Sequence, residues 1–236
     1  MYETREVLKT VDHTILKVDA TWDMVRKTID MAAMNECASA CISPCYVSRA
    51  FEYVEEKYDG SLPICTVIGF PSGQSTTEVK LYEAREAILD GAREIDMVIN
   101  ISWVKDRRFE EILKEISELE NLCHYNNVCG YITLKVIVES CLLTEWELRK
   151  MCEIVALSGA DFIKTSTGFS TGGATVNDIA IMKEEMDKWN NDKELREKFP
   201  LRDKIKIKAS GGIKNMEDAK QFLYFGADRL GTSRLL

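Results

Sequence analysis

The chain is poor in histidine, with two in 236 residues, and in proline, with four. His13 and His124 stand far apart in sequence, so no histidine-based metal cage has a nucleus. Among the eight cysteines there is no CxxC pair, the close thiolate spacing of structural zinc sites. Cys37, Cys41 and Cys45 recur at intervals of four, but Pro44 breaks any helix that would align them. They read as small buried thiols; no metal and no cofactor is expected. No apolar run approaches membrane length, and the opening MYETREVLKTVDHT carries no export-type apolar segment. A cytoplasmic chain with reduced thiols is therefore expected. The charge excess is acidic, 39 Asp and Glu against 31 Lys and Arg, without the basic surface that nucleic acid requires. No linker or low-complexity segment divides the chain, so residues 1–236 read as a single domain.

What is present is an alternation of short apolar runs with longer amphipathic ones. Strands are expected at 14–16, 39–42, 64–68, 94–99, 133–138, 161–164, 204–209 and 228–231. Helical periodicity fills the intervals, as in 76–89 and 143–155, where Thr144 and Glu147 form a capping box. Gly91, Gly159 and Gly226, each followed by alanine, end helical stretches and open strands about two βα units apart. Eight such units predict a (β/α)8 barrel. A doubly wound open sheet is the alternative, but no GxGxxG opens the first helix. Only residues 232–236 follow the last strand, too few for an eighth helix, which is expected to be truncated or missing. The mixed-charge run 190–199 reads as a solvated extension, and His13 and the HYNN stretch at 124–127 as structural.

Within the strands, three charges lie near the ends where barrel chemistry gathers. These are Asp96, Lys164 and Lys208. Strand alternation puts Asp96 on one face with Glu94 and Val98, and Lys208 toward the lumen with Lys206 a layer below. Lys206 needs a partner there, for which a carboxylate such as Glu94 is a candidate, and the sequence leaves the choice open. A free lysine amine titrates near ~10.4, and burial or a neighbouring cation lowers that value, which is how imine-forming lysines are activated. Lys164 thus reads as a nucleophile, Lys208 as its cationic neighbour and Asp96 as a proton relay. The competing reading is a purely structural network of lumen ion pairs. Small-residue stretches at three consecutive strand ends argue for chemistry. Thr165 and Gly168 follow Lys164, Gly211 and Gly212 follow the seventh strand, and Gly231, Thr232 and Ser233 close the eighth. Such loops bind phosphate through backbone N–H groups.

The segment GADFIKTSTGFSTGGAT resembles the Schiff-base segment of the deoxyribose-phosphate aldolase family. VDHTILK, VIGFPSG, EIDMVIN, LKVIVES, IKASGGIK and GADRLGTS resemble its other motifs, in family order and across almost the whole chain. The resemblance implies a metal-independent barrel that reversibly cleaves 2-deoxy-D-ribose 5-phosphate to D-glyceraldehyde 3-phosphate and acetaldehyde. It implies the imine on Lys164, with Lys208 and Asp96 beside it, and Asp12, Cys41, Lys135 and Thr165 around the sugar. Some members carry a lysine after TSTG that helps hold phosphate. Phe169 stands there in this chain, so backbone donors are expected to carry the phosphate. Relatives commonly dimerise, and the absent helix gives a motive for a second copy to cover that face. The lysine placement alone would also allow another imine-forming sugar-phosphate aldolase or transaldolase, against which the flanking motifs stand, and the short segment after the last strand would allow a catalytically weak barrel that binds a phosphate ligand.

Overall fold

Eight short strands pair in parallel, each with its sequence neighbours, and β8 returns to β1 to close the barrel. They are β1 Val11–Ile15, β2 Ser39–Ile42, β3 Ile64–Ile68, β4 Glu94–Val98, β5 Thr133–Ile137, β6 Phe162–Lys164, β7 Lys206–Ser210 and β8 Arg229–Thr232. This computed structural model describes residues 2–125, 130–200 and 202–236; Asn126 and Asn127 of the HYNN stretch lie outside them. The helices are α1 Thr4–Leu8, α2 Trp22–Met34, α3 Val47–Tyr58, α4 Thr77–Leu89, α5 Ile101–Lys105, α6 Phe109–His124, α7 Glu145–Ser158, α8 Val176–Asn190, α9 Lys193–Lys198 and α10 Met216–Tyr224. No helix follows β8 among the described residues, and Leu235 and Leu236 pack against the core. None of the described helices is long and apolar enough to cross a membrane.

Alternation along each strand separates two interiors. Ile95 and Met97, Leu134 and Val136, Ile163, Ile207 and Leu230 belong to the large apolar layer packed with the helices. The residues between them point into the lumen, where Cys41, Cys65 and Val67 form a separate small apolar cluster. The expected capping box closes at α7, with the Thr144 hydroxyl accepting from the Glu147 N–H and the Glu147 carboxylate from the Thr144 N–H. Gly159 ends that helix at φ 92, a left-handed turn that leaves no room for a side chain beside Phe199.

Three expectations need correction. The first strand begins at Val11, three residues before the run expected, because Asp12 turns its charge into the lumen. The run 190–199 is not a plain solvated extension: it folds as α9, capped by the Asp192 side chain, with Leu195 buried. Lys206 does not pair with Glu94. It lies over the Phe162 ring at 5.7 Å, while Lys135 and Arg229 take the Glu94 carboxylate.

Two polar clusters outside the lumen fix the frame. The buried Lys80 ammonium of α4 donates to Glu115 of α6 and to the Val98 carbonyl, each at 2.8 Å. At the opposite end of the barrel from Lys164, the buried His124 ring lies 2.9 Å from both Glu120 and Asp161 and stacks on Tyr131 at 4.3 Å.

Candidate active site

Six of the eight strands send a charged side chain into the lumen, and register brings these together. Asp96 lies opposite Lys135, and Lys164 opposite Lys208. The Asp96 carboxylate is the hub. Its Oδ2 accepts from Lys164 Nζ at 2.6 Å and Lys208 Nζ at 2.7 Å, and its Oδ1 from Lys135 Nζ at 2.9 Å and the Cys65 thiol at 3.3 Å. Asp12 pairs with Lys208 and, at 2.6 Å, with Arg229, and accepts from Ser39. Glu94 is shared by Lys135 and Arg229.

Burial penalises every one of these charges, so their mutual contacts decide the outcome. Burial pushes the Asp96 carboxyl up, but Lys135, Lys164 and Lys208 outweigh it and hold it well below the usual carboxylate range. For Lys208 burial acts downward, yet Asp12 and Asp96 keep the ammonium well above its ordinary value. Lys135 is held high in the same way by Asp96, Cys65, Glu94 and Asp12. Both are firmly cationic.

Lys135 also explains two clusters of metal-type ligands. Cys41, Cys65 and Asp96 lie within 4.8 Å of one another, as do Asp12, Cys65 and Glu94. The Lys135 ammonium touches Asp12, Cys65, Glu94 and Asp96. A tethered cation thus neutralises the acidic group from within. Cys37 and Cys45 do not join these clusters; Cys37 is buried elsewhere and Cys45 is exposed.

Above this floor opens a pocket of about 560 Å³. Of the charged network only Lys164 reaches its wall; Asp12, Asp96, Lys135 and Lys208 lie beneath. Gly168, Gly211, Gly212, Gly231, Thr232 and Ser233 all line the pocket, with Lys214 and Arg234 beside them. Gly211 and Gly212 sit at φ 74 and 81, a conformation open to glycine. They meet the loop after β6 so closely that a Cβ on Gly173 would lie 2.5 Å from the Gly211 carbonyl carbon. Phe169 stacks edge-on against Phe70 at 5.3 Å and forms part of the wall. Thr165 is not on the wall. Its hydroxyl donates to the Ser210 carbonyl and accepts from the Ser210 N–H, stitching the ends of β6 and β7 together. Cys41 likewise lies below the pocket, beside Cys65. Outward on β1, the buried His13 forms another part of the pocket wall, with no hydrogen-bond partner for Nδ1 among the described residues.

Sequence reasoning missed Arg229 and Cys65. Arg229 was within reach, since it alternates with Gly231 on the lumen face of β8. Cys65 gave no signal among the apolar residues of β3.

A closed parallel barrel whose buried charge network meets the mouth pocket only at Lys164, beneath a rim of glycine loops, defines a class of lysine-dependent barrel aldolases. The chain belongs to the DeoC/LacD family of aldolases, whose family model matches residues 6–229. It is 48% identical over 231 residues to the deoxyribose-phosphate aldolase of Clostridioides difficile (strain 630), covering 98% of this chain and 94% of that one. The deoxyribose-phosphate aldolase of Streptococcus pyogenes serotype M28 is 47% identical over 234 residues, with 99% and 94% covered. Among solved structures, the deoxyribose phosphate aldolase of Aeropyrum pernix, described as tetrameric, superposes with a TM-score of 0.83. It is 29% identical, with 97% of this chain and 87% of that chain covered.

Proposed function

We propose that this chain is a 2-deoxy-D-ribose-5-phosphate aldolase, cleaving its substrate reversibly to D-glyceraldehyde 3-phosphate and acetaldehyde through an imine on Lys164. The observation that carries the reading is the single opening in the network: Lys164 alone meets the pocket that the glycine loops rim. Three carboxylates, Asp12, Glu94 and Asp96, face four basic groups, Lys135, Lys164, Lys208 and Arg229. Addition to a carbonyl requires the neutral amine, the nucleophilic form of a lysine.

The neutral amine adds to the C1 aldehyde, and loss of water leaves a protonated imine. Electrons from the breaking C2–C3 bond flow into that imine as the C3 hydroxyl loses its proton, releasing glyceraldehyde 3-phosphate. The enamine then takes a proton at C2, and hydrolysis frees acetaldehyde and the lysine. Asp96, which accepts from both Lys164 and Lys208, passes the protons together with Lys208. Backbone N–H groups of Gly168, Gly211, Gly212 and Ser233 hold the phosphate, with Lys214 and Arg234 supplying positive charge at the rim.

Borohydride trapping tests the reading directly. Treatment with acetaldehyde and borohydride should leave an ethyl adduct on Lys164, located by peptide mass spectrometry. A protein with no adduct at Lys164 is not an aldolase of this kind, and a silent phosphate-binding barrel would give that result. The face left without a helix after β8 gives a motive for a homodimer, and sedimentation gives the mass.

A further inference from the structure

Glu139, just past β5, is buried at 3% exposure and held at φ 50, ψ 61. A non-glycine residue in that left-handed region is strained, and asparagine or glycine would adopt it more readily. Backbone pairing on both sides enforces it: the Val138 N–H donates to the Lys164 carbonyl at 3.0 Å, and the Ser140 N–H to the Thr165 carbonyl at 2.8 Å. The strained turn aims the carboxylate at Thr167. There it accepts the Thr167 N–H at 3.2 Å and also the Thr167 hydroxyl proton. Thr167 Oγ1 in turn accepts the Phe169 N–H at 3.1 Å, closing the turn around Gly168 at φ 83.

Behind that turn lies a second cavity of about 450 Å³, walled by Glu139, Leu142, Thr167, Phe169 and Ser170. On that side the turn is held by the carboxylate clasp, and at Phe169 by its edge-on contact with Phe70. Thr167, Gly168 and Phe169 also form the wall of the catalytic pocket next to Lys164.

We infer that Glu139 is a positioning residue that fixes the Thr167–Phe169 turn against the catalytic pocket and so sets affinity for the phosphorylated sugar. The inference rests on the aldolase reading. Glu139 does not contact Lys164 through its side chain, so it governs how the long substrate is held rather than how the amine reacts. With its proton committed to Glu139, the Thr167 hydroxyl offers only acceptor capacity to the pocket, which suits a sugar hydroxyl.

The test uses the full chain and the variant Glu139→Gly, which suits the left-handed backbone and removes the carboxylate. KM for deoxyribose 5-phosphate should rise about tenfold or more, while the rate of acetaldehyde trapping on Lys164 stays within about twofold of wild type. Glu139→Gln, which still accepts the Thr167 N–H, should recover part of the affinity. An unchanged KM in Glu139→Gly overturns the inference, as does a loss of trapping that matches the loss of turnover. Failure of the wild-type protein to form any Lys164 adduct would instead sink the aldolase reading, and the inference with it.

Discussion

Replacing Lys208 by methionine removes one charge and little volume. Lys208 and Lys164 each donate to Asp96 Oδ2, at 2.7 and 2.6 Å, so both ammonium groups crowd one carboxylate oxygen. At an effective dielectric of about 20, two like charges about 5 Å apart repel by about 3 kcal/mol. An interaction of that size is about two decades in a rate or equilibrium constant. In the variant, Asp12 and Asp96 each lose a cation that they contact, and Lys164 loses its cationic neighbour. Turnover of deoxyribose 5-phosphate should fall about a hundredfold. Steady-state kinetics, with circular dichroism to confirm folding, measures the loss. Activity within about tenfold of wild type would refute the electrostatic account.

Gly173→Ala places a Cβ 2.5 Å from the Gly211 carbonyl carbon. It should part the two glycine loops and raise KM for the phosphorylated sugar about tenfold, with acetaldehyde trapping spared; a kinetic comparison of the two substrates decides. Lys80→Met leaves Glu115 buried without its cation and should cost about 3–5 kcal/mol in urea denaturation; a loss below about 1 kcal/mol would show that the pair is dispensable. Burial acts to lower His124, but Asp161 and Glu120 raise it to about 9. Because the folded value lies above the unfolded one, near ~6.5, this stabilisation is complete below that pH and lost as pH climbs through about 9. Up to about 3 kcal/mol should disappear across that window, and His124→Gln should remove the slope; a variant with the wild-type slope would assign it to other groups.

Strands 39–42 and 64–68 were legible because β2 and β3 are buried on both faces and apolar except at Ser39 and Thr66. The start of β1 was not, since the polar Asp12 and His13 precede the apolar run and the partners of that charge lie on other strands. Alternation correctly placed Lys206 on the lumen side but could not name its neighbour. That choice belongs to β8, whose Arg229 reaches Glu94 across the barrel. In the same way, motif order located Thr165 near Lys164, whereas its hydroxyl is consumed by Ser210 on the adjoining strand. Which way a side chain faces follows from local pattern; what it meets there depends on closure of the sheet.

The lumen charges come from β1, β4, β5, β6, β7 and β8, so they span nearly the whole sequence, from Asp12 to Arg229. No contiguous half of the barrel contains a balanced set with its contacts complete. An incomplete barrel would expose those charges to water or strand them in an apolar interior, and neither state resembles the assembled floor. Joining β8 to β1 therefore does more than finish the sheet: it brings Arg229 to Asp12 and completes the ionic balance around Lys164. On the proposed mechanism, reactivity of that amine is a measure of whole-barrel integrity, and a local opening at the β1–β8 seam would silence the site without touching Lys164 itself.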